Sequence, residues 1–90
     1  MLFVCYVNVD PDKRDENIRR FREQGLVKPE GIKLIGAWAT LTQQEAWLVF
    51  EADTAASVLE FFEPWTDISD HQVTPVMDFE ELKKVVDTQA

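Results

Sequence analysis

The chain has 90 residues, of which 46% are hydrophobic and 29% are charged, and its formal net charge is −8 at pH 7. This composition is typical of one globular domain over residues 1–90 and excludes a disordered or fibrous chain. The acidic charge opposes contact with nucleic acid and with anionic membrane surfaces. The single cysteine and single histidine suggest no disulfide, metal or cofactor. Because no signal peptide or transmembrane pattern is visible, we expect a cytoplasmic protein.

The first predicted strand covers residues 2–9 and is followed by a predicted helix that ends near Gln24. Asp10 suits the N-cap of this helix, and Pro11 suits its first position, where a missing N–H group costs nothing. Acidic and basic residues alternate along the helix at helical spacing. This pattern favours ion pairs within the helix over a basic surface that binds nucleic acid.

The second and third predicted strands, Ile32–Ala39 and Ala46–Phe50, form a hairpin. Counting outward from the centre of the turn places Trp38 opposite Trp47. The face that carries small residues suits close contact with helices, so we assign it to the helix side. Trp38, Trp47 and Glu51 then lie on the opposite face of the sheet.

A second helix is capped by Asp53 or Thr54 and is ended by Pro64. A fourth strand follows over His71–Met77, and Asp78 begins a last helix with an apolar stripe. The stripe residues predicted to face inward are Phe79, Leu82, Val85 and Val86. The order β-α-β-β-α-β with an extra C-terminal helix predicts an α+β, ferredoxin-like domain.

Neither face of the predicted sheet is consistently polar. A sheet with two apolar faces needs cover on both, and the helices of the chain can cover only one. A second copy of the chain is the simplest cover for the other face, because a chain of this size has a marginal core and gains stability by association. We therefore expect a homodimer.

Four segments carry a resemblance to known proteins: Met1-Leu2-Phe3, Pro29 to Trp38, Glu51-Ala52-Asp53 and Val73 to Val76. In their order and spacing the chain resembles the dimeric α+β barrel superfamily, and more narrowly a small bacterial family of domains of unknown function, numbered 3303. The resemblance extends over nearly the whole chain. It implies a ferredoxin-like fold and a homodimer whose two sheets close against each other, and it implies no activity.

The superfamily that the chain resembles commonly holds small, often aromatic, ligands between sheet and helices. The residues of this chain that suit such a site are Tyr6, Asn8, Trp38 and Trp65. For the aromatic residues, packing at the dimer interface is the alternative. His71 and Glu51 are the only strong candidates for proton transfer near the sheet. We expect the cavity beneath the first helix, whose thin apolar side makes it the easiest element to lift.

Two classes of function fit these residues. One is a small-molecule-binding or accessory module without catalysis. The other is a small cofactor-independent enzyme, of the monooxygenase, isomerase or cyclase type, that acts on an apolar or aromatic substrate. Asn8, Trp65 and His71 are also similar to the Asn, Trp and His set of haem-degrading members of the superfamily, which adds haem binding as a weaker alternative. The alternative role for His71 is an exposed side chain at the start of a strand.

Overall fold

The computed structural model describes residues 1–89, which form four β strands and three α helices. The elements in chain order are β1 Leu2–Asn8, α1 Arg14–Gln24, β2 Ile32–Ala39, β3 Glu45–Ala52, α2 Ala55–Phe62, β4 Asp70–Val76 and α3 Phe79–Thr88. Short 3-10 turns at Pro11–Lys13 and Glu63–Trp65 precede α1 and follow α2. The predicted α+β class and the extra C-terminal helix are confirmed.

One antiparallel sheet contains the four described strands in the order β2-β3-β1-β4. β3 lies between β1 and β2, an arrangement that is compatible with a ferredoxin-like fold. The predicted hairpin is confirmed, because Trp38 pairs with Trp47 across β2 and β3. The register shifts once, between Leu34 and Gly36, where the sequence pattern indicates no bulge.

The hydrophobic core lies between the sheet and α2. It contains Cys5 of β1, Leu48 and Phe50 of β3, and Phe61 and Phe62 of α2. The Phe50 ring meets the Phe61 and Phe62 rings edge-on, at centroid separations of 5.5 and 5.6 Å, a geometry that aromatic pairs prefer. We call this side of the sheet the helix face. Burial raises the pKa of the Cys5 thiol to about 11, so Cys5 is a small core residue and not a nucleophile.

Side-chain caps explain where α2 and α3 begin. The Thr54 hydroxyl accepts a hydrogen bond from the backbone N–H of Ser57 at 3.1 Å. Asp78 Oδ1 accepts one from the backbone N–H of Glu81 at 2.7 Å. Such caps satisfy N–H groups that have no partner inside the helix. The predicted starts of α2 and α3 are therefore confirmed, whereas the Asp10 side chain makes no capping hydrogen bond at the turn before α1.

No helix within residues 1–89 covers the other face of the sheet, and we call it the open face. Its side chains come from alternate positions of the strands: Leu2, Val4, Tyr6, Asn8, Lys33, Gly36, Trp38, Glu45, Trp47, Val49, Glu51, Asp70, Gln72, Thr74 and Val76. Trp38 is 61% exposed and Trp47 is 40% exposed. Both tryptophans and Glu51 thus lie opposite the helices, as the hairpin pattern indicates. The homodimer expected to cover this face stays a prediction.

The prediction that the apolar stripe of α3 faces inward is wrong. The exposed fractions are 84% for Phe79, 40% for Leu82, 43% for Val85 and 51% for Val86. α1 and α2 already lie over the helix face, and α3 makes no extensive contact with another element of residues 1–89. Periodicity identifies an apolar stripe, but it does not identify the surface against which the stripe packs.

Candidate functional site

Polar contacts hold α1 at a distance from the sheet. Near the start of the helix, Arg14 Nε donates to the backbone carbonyl of Thr42 in the β2-β3 turn at 2.8 Å. Further along, Arg20 donates to the two carboxylate oxygens of Asp67 at 2.8 and 2.6 Å, and to the carbonyl of Pro64 at 3.1 Å. Long polar side chains thus tether the helix at two points, and space remains beneath it.

The acidic and basic residues of α1 pair with one another, as their spacing predicts. Glu16 accepts from Arg19 and Arg20, and Arg19 also contacts Glu23. The two guanidinium groups lower the pKa of Glu16 to about 2. Arg20 likewise lowers the pKa of Asp67. The pair between Arg20 and Asp67 connects α1 to the loop before β4, a contact that spacing within one helix does not reveal.

A cavity of about 400 Å³ lies between α1 and the helix face, and we call it the α1 cavity. Its floor includes Val7, Ala37, Ala39, Ala46 and Leu48, its roof Asn17, Ile18 and Phe21, and its far end Phe62, Trp65, Ser69 and His71. The alanines of the floor occupy little volume, which leaves room between sheet and helix. Because the walls are mostly apolar, the cavity suits an apolar molecule.

His71 lines the α1 cavity. It is the second residue of β4 and lies opposite Val7 of β1, and its ring is 5.0 Å from the Phe62 ring. Burial lowers the pKa of His71, while the neighbouring Asp70 carboxylate opposes this shift. The imidazole is therefore neutral at pH 7. The alternative of an exposed histidine at the start of a strand is wrong, since this side chain is half-buried.

The hydrogen bonds around His71 assign its tautomer. The Ser69 hydroxyl donates to the backbone carbonyl of Trp65 at 2.9 Å, and its oxygen lies 3.4 Å from His71 Nε2. Because the hydroxyl proton is already used, Nε2 is the donor in the second contact. Nδ1 is then an unprotonated acceptor, and it is buried without a hydrogen-bond partner in the described part of the chain.

Two of the predicted ligand-binding residues border the α1 cavity. Trp65 is buried at its far end. Trp38 belongs to the open face and is also one of the residues that line the cavity. A Cβ atom at Gly36 would lie 2.5 Å from Cη2 of Trp38, so the ring lies directly over this glycine. The missing side chain at Gly36 is therefore what lets the indole rest against the sheet.

Tyr6 and Glu51 lie on the open face, away from the cavity. The Tyr6 hydroxyl donates to Glu45 Oε2 at 2.5 Å, a bond that raises the pKa of the tyrosine. The Glu51 side chain is exposed on the same face. The sheet thus separates Glu51 from His71, and the two do not form a proton-transfer pair. Of the two candidates for proton transfer, only His71 is at the cavity.

The three residues that resemble the haem-degrading set are also divided between the two faces. Asn8 is on the open face, whereas Trp65 and His71 line the α1 cavity. One ligand in the cavity cannot contact all three residues while the sheet keeps this register. The three residues therefore do not meet at one site in this fold.

Sequence reasoning misses several residues of the cavity, among them Asn17, Phe62 and Ser69. The alternation of side chains along a strand could have shown which residues of β1 face away from the cavity. Cys5 is in the core, so the neighbouring Tyr6 points to the opposite face, away from the helices. No comparable signal marks Phe62 and Ser69, because their places depend on how the chain turns between α2 and β4.

Comparisons with known proteins complete the description of the site. The model of a protein family described as Domain of unknown function (DUF3303) matches residues 1–90. No curated protein and no solved structure matches the chain. None of the helices within residues 1–89 has both the length and the apolar composition needed to span a bilayer. Those residues also contain no group of three or more His, Cys, Asp or Glu side chains placed to hold a metal ion.

Proposed function

The chain belongs to the DUF3303 family, whose description names no activity, and we propose from the geometry of its site that the protein is a small-molecule-binding module. The ligand is a small, uncharged and largely apolar molecule held in the α1 cavity. The observation that supports this proposal is a cavity of about 400 Å³ with apolar walls and one imidazole. Ligand pockets commonly enclose roughly 300–1,000 Å³ with mainly apolar walls and a few polar groups.

The charges around the cavity favour an uncharged ligand. Glu45 lies at the rim, and the net charge of the chain is −8, so an anion is repelled. At the far end, the neutral His71 offers no charge to pair with an anion. Glu45 is the one carboxylate among the lining residues that the structure describes, and it already accepts a hydrogen bond from the Tyr6 hydroxyl. Asn17 can donate to, or accept from, a polar group of the ligand, and the Ser69 oxygen can accept from a ligand hydroxyl.

Outward movement of α1 widens the access to the cavity, whose floor residues Ala37 and Ala39 are already exposed. The carboxylate of the Arg20–Asp67 pair is exposed, and an ion pair that solvent screens stabilises a fold only weakly. Phe21, in the roof, is itself largely exposed, so lifting the helix gives up little apolar burial. The core between the sheet and α2 stays in place during this movement.

A neutral fluorescent probe tests the proposal. We expect N-phenyl-1-naphthylamine to bind the full chain saturably, with a rise in fluorescence as the probe leaves water. Ala37→Leu adds volume at the cavity floor and should weaken binding about tenfold, or about 1.4 kcal/mol. Ala56→Leu adds the same atoms to the exposed surface of α2 and should leave the affinity unchanged.

The absence of saturable binding would overturn the proposal, as would equal affinities of the Ala37→Leu and Ala56→Leu variants. Circular dichroism and urea unfolding of both variants show whether the added leucine disturbs the fold. Ala46→Leu, which fills the cavity from the neighbouring strand, repeats the test if the variant at position 37 is unstable.

His71 supports a second candidate function, a cofactor-independent enzyme that transfers a proton. Its Nδ1 has a lone pair and no hydrogen-bond partner within residues 1–89, which is the state that a general base requires. Since protein atoms enclose Nδ1, rotation of the ring or movement of α1 has to precede the transfer. Glu51 and Tyr6, on the open face, take no part in it.

Deuterium uptake by 2-tetralone distinguishes this enzyme from a binding module. A general base removes a proton from the carbon beside its carbonyl group, and the resulting enolate takes deuterium from D₂O. For an enzyme, we expect wild-type protein to accelerate this exchange and His71→Phe to abolish the acceleration while still binding N-phenyl-1-naphthylamine. Equal exchange rates with wild type and variant would remove the second candidate.

We propose a second copy of the chain as the partner of the open face. Exposed apolar patches such as that around Trp38 and Trp47 mark interaction surfaces. Aromatic residues on an open sheet also stack nucleic-acid bases in other proteins, but Glu45, Glu51 and Asp70 on this face repel phosphate. Sedimentation equilibrium at micromolar concentration should give twice the chain mass. A monomer at every concentration, or salt-sensitive binding of RNA, would overturn this assignment.

A further inference from the structure

α3 is a well-formed helix whose apolar stripe has no cover within residues 1–89. The helix has ten residues and is capped by Asp78. Its stripe consists of Phe79, Leu82, Val85 and Val86, all of them exposed. Isolated helices shorter than about 12–15 residues are marginal in water, and most helical stability in proteins comes from packing of an apolar face. α3 therefore requires a surface that the protomer does not supply.

We infer that α3 packs against a second copy of this chain and extends the interface formed by the open face. This inference rests on the proposed homodimer. In a twofold symmetric pair the same surface is used on both subunits, so the two α3 stripes are buried at once.

The apolar surface of the open face continues into the stripe. Val76, the last residue of β4, lies on the open face opposite Leu2. Met77 follows, and its side chain is exposed, as is that of Phe79 at the start of α3. Only the capping residue Asp78 interrupts this series. A partner that covers the open face as far as β4 therefore meets the α3 stripe next.

α3 adds to the area that a partner of the open face can cover. Four strands of seven or eight residues form a face of about 23 Å by 19 Å, or about 440 Å² in projection. A standard stable interface buries about 800 Å² on each partner. A helix of ten residues, about 15 Å long and 10 Å wide, adds about 150 Å². α3 thus brings the contact surface closer to the area that a stable dimer needs.

The position of α3 favours a partner over its own sheet. The protomer measures 52 Å along its longest axis, whereas a strand of eight residues spans only about 27 Å. Together with the lack of extensive contacts between α3 and the other elements of residues 1–89, this length places the helix beyond the sheet. There its stripe is free to meet a second copy.

Sedimentation velocity of the full chain over a range of concentrations tests this inference. Leu82→Gln with Val86→Gln removes two apolar groups from the stripe and should weaken dimerisation about tenfold or more. The control is Glu80→Gln with Lys84→Gln, which changes two positions on the opposite side of α3 at the same spacing and with the same net charge. This control should dimerise as the wild type does. Glutamine has a helix propensity close to that of leucine, lysine and glutamate, so neither double variant weakens the helix itself.

Hydrogen exchange of the α3 amides is the second measurement. Protection that increases with protein concentration supports packing against a partner. Protection that does not depend on concentration means that α3 packs on its own protomer, and it overturns the inference. Equal dimer affinities of the two double variants also overturn the inference about α3. A dimer formed through the open face alone would then explain the association. A wild-type chain that stays monomeric removes the homodimer and this inference together, while probe binding in the α1 cavity is unaffected.

Discussion

The two faces of β3 place large aromatic side chains in opposite surroundings. Phe50 is fully buried against Phe61 and Phe62, whereas Trp47, three residues earlier, is 40% exposed on the open face. Phe50 therefore stabilises the folded chain itself. Trp47 mainly stabilises a contact between the open face and a partner. The two faces of the sheet thus differ in role. The helix face forms the core and the floor of the α1 cavity, and the open face is available to a partner.

The helix face is itself divided between α2 and α1. α2 contributes two buried phenylalanines to the core, whereas α1 has no buried residue and is held by the side chains of Arg14 and Arg20. Apolar side chains fill the contact between α2 and the sheet. Polar tethering of α1 leaves a cavity, so the weaker of the two helix contacts is the one that creates the candidate site.

The largest expected effect comes from the two aromatic residues of β3. Phe50→Ala should destabilise the protomer by about 3–5 kcal/mol, since it leaves a cavity in the core. Trp47→Ala should cost at most about 2 kcal/mol at dilutions where the chain is monomeric. At concentrations where a partner covers the open face, the cost of Trp47→Ala should rise to about 3–5 kcal/mol. Urea unfolding at two protein concentrations measures the loss in free energy of unfolding for both variants. A loss for Trp47→Ala that is the same at the two concentrations would show that no partner covers Trp47.

A medium effect is expected at Gly36, where any side chain meets the indole of Trp38. Gly36→Val should destabilise the protein by about 1–3 kcal/mol, because it forces the ring off the sheet. In a Trp38→Ala background the same substitution should cost much less, and this double-mutant cycle isolates the contact. Equal costs in the two backgrounds, measured by urea unfolding, would show that the ring does not rest on Gly36.

A smaller effect on stability is expected for the tether between Arg20 and Asp67. Arg20→Gln should lower the stability only slightly, because the carboxylate is exposed and solvent screens the pair. It should nevertheless speed the release of N-phenyl-1-naphthylamine from the α1 cavity, since α1 opens more often. Stopped-flow fluorescence measures this rate, with Arg22→Gln, an exposed position of the same helix, as the matched control. Identical release rates for the two variants would contradict opening through α1.

The smallest expected effect is the pH dependence that His71 adds to stability. Burial lowers the pKa of His71 in the folded protein, so the unfolded chain binds more protons at mildly acidic pH. Its contribution is fully present above the ordinary pKa of about 6.5 and is lost as the pH falls through the lowered value. Wild-type protein should therefore lose more stability than His71→Gln on acidification from neutral pH, as urea unfolding would measure. Equal losses would contradict a buried, neutral imidazole.

Most of the fold can be predicted because its signals are local. The centre of one turn places Trp38 opposite Trp47, and Thr54 and Asp78 cap the helices that follow them. The α3 stripe is equally clear in the sequence, but the surface that it packs against is not encoded in its periodicity. The prediction that this stripe faces inward fails for that reason.

The candidate site depends on long-range pairing, which short sequence patterns do not contain. The register between β1 and β4 places His71 beside Val7 and the cavity, while Glu51 points to the other face. The tether between Arg20 and Asp67 joins residues that are 47 positions apart. A cavity beneath α1 can be expected from the thin apolar side of that helix, but its polar groups become visible only when the sheet is assembled.

The central claim is that the α1 cavity, and not the open face, holds the ligand. An NMR titration of isotopically labelled protein with N-phenyl-1-naphthylamine tests it most directly. We expect the largest chemical-shift changes at the methyl groups of Ala46 and Leu48 and at the His71 ring, with NOEs from the probe to the same groups. Changes and NOEs confined to Trp47 and Val49, on the opposite face of the same strand, would contradict the claim.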